Sequence, residues 1–347
     1  MPASTRPIEP VVETRLAGLG LAIRPFRDLA DYAPMAALMG LANVHGGVPW
    51  VPTEEQMRTE NEGADGLVPR DDIVLVERNG SLVAFAMVER VVRDGVTNYD
   101  LWGYVHPELR RRGIGSALHE RNVRRVAERV PLEDPDGQVL LRAHADEPEI
   151  GHRTLLERRG FSPIRHFFLM RRASLEDVPD VALPDGLVER SVRPEDHRAI
   201  WDAEDEAFRD HWGAHAHTDH EFQVLFGQSD LDTDLWVVAW DGDQVAGVVQ
   251  TWIWSTENER LDVKRGWLEK ISVRRPWRNH GLGRAMTAAA LRKLRDAGMT
   301  DAMLGVDSEN PTGALGLYER LGFAVYQRSI AYQREFDPSL AVPKRRP

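Results

Sequence analysis

The chain has no cysteine among its 347 residues, which excludes disulfides, thiolate metal sites and a cysteine nucleophile. Long apolar runs are missing too. No stretch approaches the roughly eighteen residues of a membrane helix. Met1 to Arg15, with Pro2, Pro7, Pro10, Glu9 and Glu13, lacks the apolar centre of a signal peptide. A cytoplasmic protein is therefore expected. Basic charge is in deficit, 44 Lys and Arg against 55 Asp and Glu for a net charge of -11. That balance argues against nucleic acid or an anionic membrane as the main partner and is compatible with a cationic or amine-bearing small molecule. The length suggests two domains of ordinary size.

What the chain does have is an internal repeat. The stretch from Val105 to Gly115, with Arg110-Arg111-Arg112-Gly113-Ile114-Gly115, lines up with Val273 to Gly283, with Arg278-Asn279-His280-Gly281-Leu282-Gly283, at an offset of 278 minus 110, or 168. Leu155-Leu156-Glu157-Arg158-Arg159-Gly160-Phe161 lines up with Leu317-Tyr318-Glu319-Arg320-Leu321-Gly322-Phe323 at an offset of 323 minus 161, or 162. Each copy opens on a short strand running into proline, Ile23-Arg24-Pro25 and Val192-Arg193-Pro194. Acid and proline are dense around 173–186, so the expected division is a first domain over 19–172, a linker over 173–185 and a second domain over 186–336.

Within the second copy, Leu235–Trp240 and Val245–Trp254 flank Asp241-Gly242-Asp243 as a hairpin. Trp267–Val273 alternates as a strand. Leu282, Ala285, Met286, Ala289, Ala290, Leu294 and Ala297 then recur at helical spacing up to Gly298. Ala302–Val306 reads as a strand, Pro311–Arg320 as a helix with Asn310 available as its cap, and Phe323–Tyr332 as a last strand. The same order can be traced from Ile73 to Met170.

Arg278-x-x-Gly281-x-Gly283 follows a strand and opens an amphipathic helix, the setting of an anion cradle. Glycine admits close backbone approach, and the helix start offers unpaired amides and a positive dipole end. Alone, such a loop also reads as a tight turn. It lacks the Lys-Ser or Lys-Thr pair of the nucleotide-hydrolase loop and the third glycine and distant acid of a dinucleotide fingerprint.

The succession of strand, Arg-x-x-Gly-x-Gly, long helix, strand, Asn310 and Leu317-Tyr318-Glu319-Arg320-Leu321-Gly322-Phe323 resembles the GCN5-related N-acetyltransferase (GNAT) superfamily. Both copies fit, so the chain is similar to the tandem two-domain members related to mycothiol synthase. The resemblance implies an α/β fold of two acyl-CoA N-acyltransferase domains. Each would be a twisted, mostly antiparallel mixed sheet flanked by helices, with splayed central strands. Coenzyme A, bound as acetyl-CoA, would lie in the gap between Trp267–Val273 and Ala302–Val306. The resemblance assigns the pantetheine arm to Ile271, Ser272 and Val273, with Asn310 and Tyr318 nearby. It assigns the pyrophosphate to Arg278, Asn279, His280, Gly281, Leu282, Gly283 and Arg284. A second cofactor site would use Val105, Arg110, Arg111, Arg112, Gly113, Ile114, Gly115 and Ser116.

Acetyl transfer to an amine needs a base for the amine and an acid for the departing thiolate. Tyr318 matches the family's acid, and Glu269 stands where many relatives carry the base. Alternation would put Glu269 on the face of Ile271 and Val273. The competing readings are a packed aromatic for Tyr318 and an ion pair with Lys270 or Arg265 for Glu269. Trp254 and Glu257, in the insertion before the strand, are candidates for an amine pocket or for a packed edge and a solvated loop. Asp307 reads as a turn residue. His211, His215, His217 and His220 cluster in a segment that reads as a surface loop over the substrate cleft, with a divalent-ion site as the alternative; the chemistry requires no such ligand set, and no metal is expected. The first copy has Leu101, Leu156 and Pro148 where the second has Glu269, Tyr318 and Asn310, so the first domain is expected to be catalytically silent. The expected function is acetyl transfer to a primary amine of a small molecule. Alternatives are an acyl-CoA sensor or scaffold, thioester hydrolysis, and, within the class, mycothiol synthase-like or aminoglycoside acetyl transfer. The acceptor and the oligomeric state stay open.

Overall fold

In the computed structural model, which describes residues 10–48, 50–62, 66–93, 95–133, 135, 137–212, 218–228, 231–310 and 313–342, the repeat appears as two runs of strands with one plan. The chain divides into two compact units, residues 1–164 with 330–347, and residues 165–329. These limits differ from the expected cut over 173–185. The strand that closes each repeat is counted with the other unit. Its apolar side chains dictate this: Met170 packs in the core of the second unit, and Ile330, Tyr332 and Phe336 pack in a core of the first.

The first unit runs α1 (Pro10–Ala17), β1 (Ala22–Pro25), α2 (Tyr32–Gly46), α3 (Glu54–Glu62), α4 (Pro69–Asp72), β2 (Ile73–Arg78), β3 (Ser81–Arg93), β4 (Val96–Val105), α5 (Ile114–Glu133), β5 (Val139–Asp146) and α6 (Ile150–Arg158). Strands β1 to β4 form an antiparallel meander. Its β2–β3 turn is Asn79-Gly80, both at positive φ, as a tight hairpin demands. Strand β5 then lies parallel to β4, with residues 330–335 beside it.

The second unit takes most of β6 (Ser162–Arg172), then β7 (Val188–Glu189), α7 (His197–Phe208), α8 (Asp219–Phe226), β8 (Val237–Asp241), β9 (Gln244–Trp252), α9 (Ser255–Leu261), β10 (Arg265–Val273), α10 (Leu282–Asp296), β11 (Asp301–Asp307), α11 (Ala314–Arg320) and the start of β12 (Ala324–Glu335). The strand order is β6-β11-β10-β9-β8-β7, antiparallel except for the parallel step between β10 and β11. Helix α10 covers one face through Leu282, Met286, Leu291 and Leu294, each 1% exposed or less. Burying side chains of this size contributes about 1.5–3 kcal/mol each before entropy. Ala297, expected on that face, is exposed because the helix ends at Asp296.

Two local expectations change. Residues 255–261 are helical, so Trp254 stands at a helix N-cap and not inside β9. The helix expected from Pro311 begins at Ala314, capped by Gly313 at φ 72°, so Asn310 is not its cap; Pro311 lies outside the described residues, as do His215 and His217. Among the described residues, no helix is long and apolar enough to cross a membrane.

Candidate active site

The parallel step between β10 and β11 pairs only Arg265 to Leu268 with Asp301 to Leu304. Beyond that point β10 stays with β9 and β11 stays with β6, so the facing edges of 269–273 and 305–307 part. Among the described residues, no strand pairs with that edge of β10, which suits its backbone groups to a linear ligand with amides of its own. The β9–β10 ladder also slips between Leu268 and Lys270, leaving Glu269 as the extra residue of a bulge. The slip resets the alternation: Leu268, Ile271 and Val273 all pack into the α10 core. The expected grouping of Glu269 with Ile271 and Val273 therefore fails, because the inserted residue breaks the period of two.

The loop opening α10 turns on two residues in the left-handed region, Asn279 at φ 63° and Gly281 at φ 83°. The first intrahelical bond at this end is from the Ala285 amide to the Gly281 carbonyl, 3.1 Å. The amides just before it are the ones a helix cannot satisfy itself. Asn279, His280, Gly281 and Arg284 are exposed. A Cβ on Gly283 would meet Leu317 at 3.4 Å and Val273 at 3.6 Å, so the start of α10 lies against both α11 and the end of β10. A pyrophosphate fits this helix terminus, and an extended arm fits the neighbouring open edge of β10.

Arg278 is employed otherwise than expected. Its Nε donates to the Val273 carbonyl at 2.9 Å, Nη2 to the Ala207 carbonyl at 3.0 Å, and Nη1 to Asp210 at 2.7 Å. It ties the strand end to α7, and Arg284 is left as the exposed cation of the first turn. Asp210, held also by Arg275, is kept well below the usual carboxylate range by those two guanidiniums.

Glu269 accepts a hydrogen bond from the Trp254 indole, 3.0 Å. The competing ion pairs with Lys270 and Arg265 are not formed. Lys270 reaches the wholly buried Glu204 at 2.5 Å and Arg265 is bound to Asp301 at 2.8 Å. Glu269 presents surface to solvent yet is closely surrounded, as a group at the mouth of a cleft is. The crowding raises its pKa above the ordinary carboxylate value, opposed by the Trp254 hydrogen bond and the charge of Lys270. Open water on one side tempers that rise.

Tyr318, on α11, is 6% exposed and edge-on to Phe323, and burial pushes its phenol pKa up. The phenol therefore keeps its proton across the neutral range. Asn310 follows β11 in a turn, its amide bonded to the Asp307 carbonyl at 3.1 Å. Asp307 is clasped by Arg165 at 2.8 Å. Glu257 is 2% exposed and accepts from the Trp267 indole at 2.8 Å, so it does not line an open pocket. Sequence reading missed the Glu204–Lys270 pair, since nothing in α7 marks one acid as facing a lysine 66 positions away.

The first unit repeats the frame without the groups. Its loop has the same left-handed pair, Arg111 at φ 65° and Gly113 at φ 85°. Arg110 reaches the Val105 carbonyl at 3.4 Å, as Arg278 reaches Val273. Strand β4 leaves β5 after Asp100 and Arg142, but the β3–β4 register is unbroken and Leu101 sits in it opposite Val88, buried. Trp102 and His144, each two residues past the parting point, stack at 5.6 Å with planes 9° apart. Asp100 is 3% exposed and bound by Arg93 at 2.5 Å, so it faces no cleft.

The sheet of the second unit thus parts at its parallel step, with a left-handed glycine turn opening a long helix beside the gap. The chain belongs to the acetyltransferase (GNAT) family: residues 197–323 match the family itself and residues 69–163 a GNAT acetyltransferase domain. It is thus an acyltransferase with two such domains in tandem. Among its relatives, a mycothiol acetyltransferase of Salinispora tropica is 32% identical over 78% of this chain and 83% of its own. One from Geodermatophilus obscurus is 29% identical over 88% and 95%. A GCN5-related N-acetyltransferase structure from Sphaerobacter thermophilus superposes with TM-score 0.69 at 26% identity, covering 92% of this chain and 96% of that one. A tandem GNAT protein from the clavulanic acid biosynthesis pathway shares the fold, with TM-score 0.65 at 19% identity over 92% and 99%.

Proposed function

We propose that the second unit transfers the acetyl group of acetyl-CoA to a primary amine of a small molecule, with Glu269 as base and Tyr318 as acid. The observation that carries the reading is the bulge, which sets a carboxylate with a raised pKa at the point where β10 leaves β11. The exposed amides at the α10 start and Arg284 would hold the pyrophosphate, and the free edge of β10 from Ile271 to Val273 the pantetheine arm. Acetyl-CoA supplies an activated thioester. The amine nitrogen forms the new bond to the acetyl carbon and loses a proton to the Glu269 carboxylate. The carbon–sulfur bond breaks, and the thiolate takes its proton from Tyr318.

In this reading the first unit is silent. Leu101 and Leu156 offer no proton transfer, and the Trp102–His144 stack stands beside the parting of β4 and β5. The names of the relatives make the des-acetyl form of mycothiol the first amine to try. The test is coenzyme A release from acetyl-CoA across a panel of amines, with Glu269→Gln and Tyr318→Phe alongside. Amine-dependent release lost in both variants is the expected result. Release without amine would mean hydrolysis, and tight binding without release would favour a sensor. Wild-type turnover in both variants would refute the assignment.

A further inference from the structure

Residues 252–262 are a structure of their own, fastened to β10 at three points. The Trp254 indole donates to the Glu269 carboxylate at 3.0 Å. The Trp267 indole donates to the Glu257 carboxylate at 2.8 Å. The Asn258 side chain donates to the Arg265 carbonyl at 2.9 Å and accepts from the Arg265 amide at 3.2 Å. Trp254 itself is fixed from two sides: its carbonyl accepts the Asn258 amide at 2.9 Å, and its ring lies on Trp252 at 4.9 Å with planes 4° apart. A helix so clamped, with its N-cap indole aimed at the one bulged residue of the strand, is an orienting device and not a loose insertion.

We propose that Trp254 is a positioning residue for Glu269, holding the bulged carboxylate by its indole N–H and favouring its ionised form, with α9 as the clamp that aims the ring. This rests on the reading of Glu269 as base and goes beyond it, since Trp254 was a candidate for touching the amine. An indole N–H only donates. It bonds the ionised carboxylate well and a protonated oxygen poorly, so its loss raises the carboxyl pKa. The charged group facing Glu269 among the described residues is Lys270, which also favours ionisation and is itself bound to Glu204 on α7. Of the two acids on α9, Glu257 is occupied with Trp267 and Glu259 is exposed. Lys270 and Glu204 are untouched by a change at Trp254, so the shift expected there belongs to the indole.

The experiment is an infrared titration of the full chain, in which subtraction of the Glu269→Gln spectrum isolates the Glu269 carboxyl band. It needs no acceptor, so it fails or succeeds independently of any turnover assay. In Trp254→Phe the midpoint should move up by about one pH unit, a tenfold change in ionisation constant. A second variant, Trp252→Leu, keeps the indole but removes its stacking partner, and should give a smaller rise in the same direction. Wild-type midpoints in both, in protein with a wild-type melting curve, would overturn the proposal. Should Trp254→Phe fold poorly, the Trp252→Leu midpoint decides alone. Loss of amine-dependent turnover in Glu269→Gln tests the base assignment separately.

Discussion

Arg278 separates a ligand contact from a scaffold contact. Were it a phosphate ligand, Arg278→Ala would weaken coenzyme A binding and leave stability almost untouched. The structure gives the opposite expectation. Two of its donors end on backbone carbonyls, Val273 at 2.9 Å and Ala207 at 3.0 Å, and removal leaves both acceptors without that partner. Hydrogen bonds from a charged donor contribute about 1.5–3 kcal/mol each when buried, and the guanidinium is 21% exposed, so the lower end applies. Asp210 is half-buried and its contact with Arg278 is screened by the solvent on its open side, so it adds little. The sum is about 3 kcal/mol. For a unit of this size that lowers Tm by about 6–12 °C. The assay is a thermal melt with and without coenzyme A, together with the dissociation constant below the melt. A melting temperature within a degree of wild type combined with a tenfold or greater loss of affinity would refute the scaffold assignment. Arg284→Ala is the matched control, expected to weaken coenzyme A binding with little change in Tm, because Arg284 is exposed.

Three other outcomes follow from the burial and surroundings of Tyr318, Glu269 and His119. Tyr318→Phe should cost about a hundredfold or more in kcat, as general-acid contributions do, with Tm within about 2 °C of wild type; calorimetry and a turnover assay check both. Activity should fall on acidification with a midpoint above the ordinary carboxylate range, because the base must be ionised and the crowding around Glu269 raises its pKa; a midpoint at or below that range would contradict the cleft assignment. In the first unit, His119 is 8% exposed and its pKa is lowered from 6.5 to about 4 by burial, reinforced by Arg159 and Arg334. The unfolded chain binds the extra proton between those values, so stability rises with pH across that window and is lost as pH falls through it, by about 3 kcal/mol in full. Urea unfolding should show that slope, and His119→Leu should flatten it.

How far the sequence carried depends on the range of the physics involved. The glycine loops were legible because a left-handed turn before a helix is a local demand, and both copies meet it with Gly281 and Gly113. Strand and helix order was legible for the same reason. What escaped needed a partner strand or a distant segment. Whether Met170 and Ile330 pack with their own repeat or with the other unit is not written in their apolar pattern, which says only that each is buried. Arg278 read as a cation for phosphate because its acceptors are carbonyls, and carbonyls leave no trace in a sequence.

Glu269 shows the limit most clearly. Its place in the strand was legible, but the side to which it points was not, because the phase of β10 is set by its slip against β9. Leu101 and Glu269 are therefore more than alternative side chains at one position. Leu101 sits in an unbroken ladder with its side chain in the core, and a carboxylate there would be buried without a partner. The second unit supports the Glu269 carboxylate by changing the backbone under it and by folding α9, a helix with no counterpart among the described residues of the β3–β4 hairpin, so that Trp254 meets it. Glu269, the bulge and α9 form one arrangement, and the first unit differs from the second by that whole arrangement rather than by a single residue.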